Sequence, residues 1–405
     1  MKQTTMHVPY HRPSIGDEEI NEVVSTLKSG WLTTGPRTAQ FEKEFGEYTG
    51  VPHALAVNSC TSGLHLALAA LKLGPGMEVI TTPLTFCATV NTIIHTGATP
   101  VLADIGPDGN IDPASIAARI TGRTRALVPV HFAGLPCDMD AIWALARRHG
   151  LDVVEDCAHA AGSFYKGAHV GAASLLTGAH STAAVFSFYA VKNLTTGEGG
   201  MVLTHDEELA SSMKILALHG ISKNAWNRYS DRGQWGYQVL ESGYKYNMSD
   251  IQSSIGIPQL RKLEGFIEAR ARFADLYNQL LADVEEVELP PDRVDSRHAW
   301  HLYSLRLNLD RLTIGRDEFI EQLKDRGVGT SVHFIPIPLH PFFASRAQLR
   351  QNQCPAALEL YPRLISLPLF PAMTEDQVRY AAKAVREIAR VSRKRTWAAM
   401  AAAGD

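Results

Sequence analysis

Four side chains and one turn in this sequence have the types and spacing for chemistry. Asp156 closes the apolar run "DVVED", and His159 follows three residues later. Ser187 and Lys192 stand around the end of a second run, in "AVFSFYAVKNLTTGEGGMV" (184–202). The polar turn "NSCTSG" (58–63) opens a helical stretch, where unpaired N–H groups and the helix dipole favour an anion. An acid, an imidazole, a lysine and an anion cradle make a reaction centre only if one rim of a sheet collects them. Singly, each has an ordinary reading: a strand-end Asp is usually a cap, a lone lysine is usually solvated, and "TSG" is only a helix start.

Together they suit amine chemistry. A free lysine, with a pKa of about 10.4, is an uncharged nucleophile only about once in two thousand at neutral pH. Held as an imine to a pyridoxal cofactor, it avoids that penalty and exchanges with an incoming amine. Such a cofactor needs a carboxylate at its pyridine nitrogen and donors around its phosphate. Asp156 and the 58–63 turn supply these, and Phe86, after "MEVITT", could stack on the ring. The glycines of "TTGEGG" (195–200) let the backbone turn tightly beside the lysine.

The elements that must position these groups follow from periodicity. Apolar residues at helical spacing (Ile20, Val23, Val24, Leu27) predict a helix ending at Gly30, and "TSGLHLALAALKLG" predicts another, capped by Thr61 and Ser62 and closed by Gly74. Short apolar runs at 77–82, 99–104, 125–132, 152–156, 183–188 and 199–204 predict strands. Most alternate with helical segments, which argues for a largely parallel sheet covered on both faces. The last two runs are too close for a helical crossover, so one antiparallel strand is expected. A long helical region follows, with Phe266, Phe273, Tyr277 and Leu280 on one face and a kink expected at Pro258. Beyond it, "HAWHLYSLRLNL" and "VGTSVHFI" predict strands, and "RDEFIEQLKDRG" and "TEDQVRYAAKAVREIARVS" predict helices. The expected organisation is a large domain over 1–254, a small α+β domain over 255–395, and a mobile tail over 396–405.

Composition bounds the function. The chain has 405 residues, 45% hydrophobic and 20% charged, with a net charge of −3, so it has no basic footprint for nucleic acid. No apolar stretch approaches the roughly 20 residues that cross a bilayer, and "MKQTTMHVPYHRPSIG" has no apolar leader core. Five scattered cysteines (60, 87, 137, 157, 354) without C-x-x-C spacing suggest reduced thiols in a cytoplasmic protein. Cys157-Ala-His159 is at most half a metal site, and no metal is expected.

Six ordered motifs, "PSIGDEEINEVVSTLKSGWLTTGP", "NSCTSGLHLAL", "EDCAHAAGSFYKG", "FSFYAVKNLTTGEGGMV", "GYKYNMSDIQ" and "VHFIPIPLHPFF", resemble those of the DegT/StrS sugar-nucleotide aminotransferases over about residues 8–390. The resemblance implies an α/β pyridoxal-phosphate enzyme of fold type I: a mostly parallel, seven-stranded sheet with covering helices, plus a smaller α+β C-terminal domain. It implies that Lys192 forms the imine with pyridoxal 5′-phosphate and moves the proton, and that Asp156 pairs with the pyridine nitrogen. His159 would lie near the ring oxygen and Phe86 against the ring. Thr61, Ser62 and Ser187 would hold the phosphate. Asn247, or Lys245 beside it, would reach the neighbouring subunit's phosphate, which makes the expected assembly a homodimer with shared sites. The family's usual "GYNYR" reads "GYKYN" here, and Gly63 stands where alanine is usual. Dehydratases of this family carry histidine at the Lys192 position, so lysine argues for transamination. The implied reaction moves an amino group, from glutamate, to the C4 keto group of a nucleotide-linked sugar. A 3-keto sugar or keto-cyclitol acceptor, or a cofactor-binding regulator without turnover, are the alternatives. Trp31 and Thr33 of "GWLTTGP" and His333 of "VHF" are the expected acceptor contacts, since both segments are polar and flank the large domain.

Overall fold

The computed structural model describes residues 6–222, 237–346 and 349–394. The expected tail over 396–405 lies outside them. Helices α1 (Asp17–Ser29) and α2 (Pro36–Thr49) precede a seven-stranded sheet made of β1 (His53–Val57), β2 (Glu78–Thr81), β3 (Thr99–Leu102), β4 (Thr124–Val128), β5 (Asp152–Asp156), β8 (Ala183–Ser187) and β9 (Gly200–Thr204). Their order is β1-β9-β8-β5-β4-β2-β3. Only β9 runs against the rest, as expected from the short β8–β9 connection. Between β5 and β8, the hairpin β6 (Phe164–Tyr165) and β7 (Ala168–His169) pairs with β11 (Ser296–Arg297).

Helices α3 (Cys60–Ala70), α4 (Cys87–His95), α5 (Pro113–Ala117) and α6 (Met139–His149) join these strands, and α7 (Glu207–Leu216) follows β9. Helix α3 is capped by Ser59, not by Thr61 or Ser62, because the Ser59 hydroxyl accepts the Ser62 N–H. It also stops before Gly74, where Lys72 turns left-handed at φ 57°. One face of the sheet packs on α3 through Val57, Leu64, Leu68, Val128, Val154 and Val185. The other carries Phe186 and, just beyond β8, Phe188. Phe45 of α2 lies 5.2 Å and 5.5 Å from their rings. Truncating such a fully buried ring costs on the order of 3–5 kcal/mol, so α2 clamps the strand that leads to Lys192.

Helix α8 (Asp250–Leu281) runs unbroken through Pro258 as a single 32-residue helix, opened by a capping box between Ser249 and Gln252. Its buried face is offset from the expected one. Phe273 and Tyr277 are buried as expected, but Ile267, Arg270, Ala274 and Leu281 accompany them, and Phe266 and Leu280 are only half-buried. That half of α8 joins a second core with β10 (Val287–Glu288), β12 (Tyr303–Leu307), α9 (Arg316–Asp325), β13 (Leu364–Leu367) and α12 (Glu375–Val391), and α10 (Pro341–Ala344) and α11 (Pro355–Leu360) lie between α9 and β13. "VGTSVHFI" is not a strand. It makes isolated bridges from Val328 to Val8 and from Ser331 to Ser366, and its His333–Phe334 peptide is cis. No described helix is long and apolar enough to cross a membrane.

Candidate active site

The C-terminal ends of β1, β5 and β8 meet at one rim, where open parallel sheets bind their ligands. Asp156 pairs in register with Val185, and Ser187 and Val57 both pair with Gly200. Gly200 is the residue that lets α3 approach. A Cβ there would lie 2.7 Å from the Phe186 carbonyl and 2.8 Å from the Cys60 nitrogen. Gly63 acts likewise one turn along, where a Cβ would meet Val185 at 2.6 Å. The first turn of α3 thus rests directly on the sheet beside Ser187, with N–H groups that have no intrahelical partner. Thr61 is exposed there, and Ser62 Oγ is engaged with Asn58 and Ser59.

Asp156 is buried but not bare. Thr89 Oγ1 donates to Oδ2 at 2.9 Å and the Ala158 N–H donates to Oδ1 at 3.1 Å. Burial raises its pKa, and those two donors together with Lys192 pull it back in part. Lys192 is half-buried, and burial lowers its pKa to about 8 against the attraction of Cys60 and Asp156. His159 is held well below its ordinary value by burial and then by Lys192, so the ring is neutral, and its Nδ1 is buried without a partner. Phe334 stacks on His159 at 5.6 Å, and Phe86, 60% exposed, leans on Phe334 at 6.2 Å.

The structure brings His333 to this cluster, 6.5 Å from His159 and stacked on Tyr10 at 6.0 Å, with Nδ1 against Ser366 Oγ. Burial and Lys192 lower it to about 4. Trp31 and Thr33 are exposed and tied elsewhere. Trp31 Nε1 donates to the Thr34 carbonyl, and the Asp250 N–H donates to the Thr33 carbonyl. Asn247 and Lys245 part company. Asn247 Nδ2 donates to Thr34 Oγ1 and lines a cavity of about 330 Å³ with Glu42 and Lys214, whereas the Lys245 side chain is exposed.

Sequence reasoning passes over several residues of this site. Thr89 reaches Asp156 from α4, and His301 lies 4.4 Å from His159. The paired histidines of "HAWH" were the only local signal for the latter. On the opposite face of β5, His131, Glu155 and Cys157 have ligand atoms within 4.8 Å of one another, but His159 is not in that group. The Cys137 N–H donates to His131 Nδ1 at 3.0 Å, so the ring proton is on Nε2 and donates to Glu155 at 2.8 Å. The trio is therefore a hydrogen-bonded pair beside a thiol.

The geometry has counterparts among known proteins. The model of the DegT/DnrJ/EryC1/StrS aminotransferase family matches residues 13–386. The chain belongs to this family. SpsC of Bacillus subtilis, a spore coat polysaccharide biosynthesis protein, is 50% identical over 383 residues, 94% of this chain and 97% of SpsC. The PMP form of Spr1654 from Streptococcus pneumoniae superposes with a TM-score of 0.88 at 32% identity, covering 95% of this chain and 100% of that one. Its PLP form gives 0.87 at 31%. Helicobacter pylori PseC, an aminotransferase involved in the biosynthesis of pseudoaminic acid, gives 0.87 at 31%, covering 95% and 100%. The fold is that of the type I pyridoxal-phosphate sugar aminotransferases. The cofactor is pyridoxal phosphate, and the residues on this rim fit it: a buried carboxylate with two fixed donors, a lysine of lowered pKa, an imidazole nitrogen without a partner, and a helix start lowered onto the sheet by Gly200. The activity is amino transfer to a sugar.

Proposed function

We propose that this chain transfers the amino group of glutamate to the C4 keto carbon of a nucleotide-linked hexose or pentose. The observation that carries the reading is the placement of Lys192 at the rim that also holds Asp156 and the start of α3, and burial there lowers its pKa to about 8. At pH 8 about half of such a side chain is free amine, against roughly one in two hundred and fifty for a lysine at its ordinary value.

Pyridoxal phosphate supplies, when bound, an electron sink that takes the amino group from one substrate and returns it to the other. The chain's residues divide the remaining work. Lys192 would hold the cofactor and, as a free amine, move the proton at the substrate carbon. Asp156, fixed by Thr89 and Ala158, holds the proton at the pyridine nitrogen. Thr61, Ser62, Ser187 and the first turn of α3 bind the phosphate. Phe86 would cover the ring, and neutral His159 would meet its oxygen without adding charge. Trp31, Thr33 and His333 are the proposed acceptor contacts, and of the three His333 is the one that lies in the Lys192 cluster.

The assembly is proposed to be a homodimer in which Lys245 or Asn247 serves the partner's cofactor. Support comes from α1, whose apolar stripe is not covered: Ile20 is 53% exposed, Val24 40% and Leu27 51%, while Glu19 and Thr26 take the inward face. Contiguous exposed apolar residues of this kind mark an interface. The five cysteines are all free thiols, which suits a cytoplasmic enzyme. The test of the acceptor is a panel of nucleotide-linked 4-keto and 3-keto sugars with glutamate, reading the amine position by NMR. Amination at C4 is expected, and turnover of only 3-keto sugars or keto-cyclitols would overturn the C4 assignment.

A further inference from the structure

The residue that follows Lys192 has an unusual set of contacts. Asn193 is buried, and its Nδ2 donates to the Ala161 carbonyl at 3.3 Å and the Ala299 carbonyl at 3.0 Å. Its Oδ1 is 3.3 Å from His301 Nδ1. Both amide hydrogens are thus spent on carbonyls, which can only accept, so the oxygen is the atom that faces His301. An amide oxygen cannot donate. His301 Nδ1 therefore carries the ring proton and gives it to Asn193, and Nε2 keeps its lone pair.

The backbone that presents His301 is fixed at a cost. Trp300, immediately before it, has φ 47°, a conformation that non-glycine residues rarely adopt. The Trp300 N–H donates to His298 Nδ1 at 2.8 Å, and the two rings stack at 4.0 Å. From α8, Arg270 Nη1 donates to the carbonyls of Trp300, His301 and Leu369. Strain of this kind persists where the surroundings over-determine it, and it concentrates at functional sites. The His301 ring then lies 4.4 Å from the His159 ring, tilted by 45°. One amide thus joins the segments that carry His159, Lys192 and His301.

We propose that His301 is a positioning residue of the reaction centre, locked as its Nδ1–H tautomer by Asn193, and that it holds the His159 ring in place and neutral beside Lys192. The groups that face His301 are His159, Lys192, Arg270 and His333, and all of them disfavour a charge on it. A protonated His301 packed on His159 would repel the Lys192 ammonium, and a loose ring would let His159 turn. The inference rests on the proposed amino-transfer reading, but its first test does not.

That test is NMR of histidine-labelled apoprotein, which reads the tautomer directly and needs no cofactor or substrate. His301 is expected to show its proton on Nδ1 and no titration between pH 7.5 and about 5. Asn193→Ala should release it to a mixture of tautomers. Kinetics follow with His301→Asn, whose amide keeps a donor for Asn193 but removes the ring from His159. The single-turnover rate with glutamate should fall roughly tenfold to a hundredfold, with KM for glutamate little changed and the acid limb of the pH profile moved upward. Should His301→Asn lose its fold, the tautomer measurement on the unmodified protein still decides. A proton on Nε2, a cationic ring at pH 7, or a His301→Asn enzyme with unchanged rate and pH profile would each overturn the proposal.

Discussion

Thr89 Oγ1 donates to Asp156 Oδ2 at 2.9 Å across 67 residues of sequence. The bond joins the first turn of α4 to the end of β5, and Thr85 Oγ1 in turn lies 2.8 Å from Thr89 Oγ1. Its importance is electrostatic. A carboxylate buried at a sheet rim tends to protonate, and each donor aimed at it offsets part of that cost.

Asp156→Asn should therefore cripple amino transfer while leaving the fold intact, since an amide cannot hold a proton on a pyridine nitrogen. The expected loss is on the order of 10²-fold or more in the glutamate half-reaction, the removal of a charged partner being worth several kcal/mol. Thr89→Val should cost less, roughly tenfold, as one hydrogen bond to a charge is lost. Rates within threefold of wild type for Asp156→Asn would place it outside the chemistry.

Lys192 gives a prediction in pH. Its pKa, lowered by burial to about 8, means that the free amine grows as pH rises toward 8 and saturates beyond it. The rate at which apoprotein recaptures pyridoxal phosphate, followed by visible absorbance, should climb from pH 6.5 and level off above about 8. A climb that continues to pH 10 would mean a solvated lysine. Lys192→Ala should show neither the absorbance nor turnover.

Gly200→Ala tests the close approach of α3. The new methyl would meet the backbone of Phe186 and Cys60, which cannot move aside cheaply. Overpacking should cost on the order of 1–3 kcal/mol and tilt the phosphate cradle off the sheet. A lower melting temperature together with faster loss of cofactor on dialysis is expected. A variant with wild-type retention would show that α3 is not the cradle.

The fold and the site were legible to different depths. The runs of Val, Ile and Leu behind β2 to β5, β8 and β9 announce buried strands, and Asp156, Ser187 and Lys192 sit where those runs end. Strand β1, "HALAV", is alanine-rich and has too weak a strand preference to stand out. "VGTSVHFI" has the composition of a strand, but only Ser331 and Val328 find bridging partners, to Ser366 and Val8. His301, Asn193 and Thr89 act through partners distant in sequence, and the paired histidines of "HAWH" are the one local pattern that points to any of them. The stripe on α1 marks a helix, yet periodicity alone does not say that Ile20, Val24 and Leu27 face outward.

That stripe predicts the assembly. Leu27→Glu with Ile20→Glu should convert a dimer into a monomer by sedimentation and weaken cofactor retention. Mixing Lys192→Ala with a Lys245→Ala/Asn247→Ala double variant should restore part of the activity, because in the proposed dimer one site of each mixed pair would be intact. No recovery after verified subunit exchange would mean that each chain completes its own site.

Acid should destabilise the protein through its buried imidazoles. His298 is lowered by burial to about 3 and His333 to about 4, and His159 and His301 lie well below their ordinary value. The unfolded chain takes up these protons near pH 6.5 while the folded one does not, so stability is full above 6.5 and lost as pH falls toward 4. Each such histidine steepens the loss by about 1.4 kcal/mol per pH unit. Urea midpoints measured from pH 7.5 to 5 should decline steadily, and a flat profile would mean that the rings are solvated.

The most direct measurement is a two-step spectral titration of the yellow holoenzyme. Adding glutamate alone should bleach the visible band in proportion to enzyme, with one 2-oxoglutarate released per site. Adding a nucleotide-linked 4-keto sugar should then restore the band and yield one equivalent of amino sugar. A band that glutamate leaves unchanged, with no 2-oxoglutarate formed, would contradict the glutamate-to-sugar account.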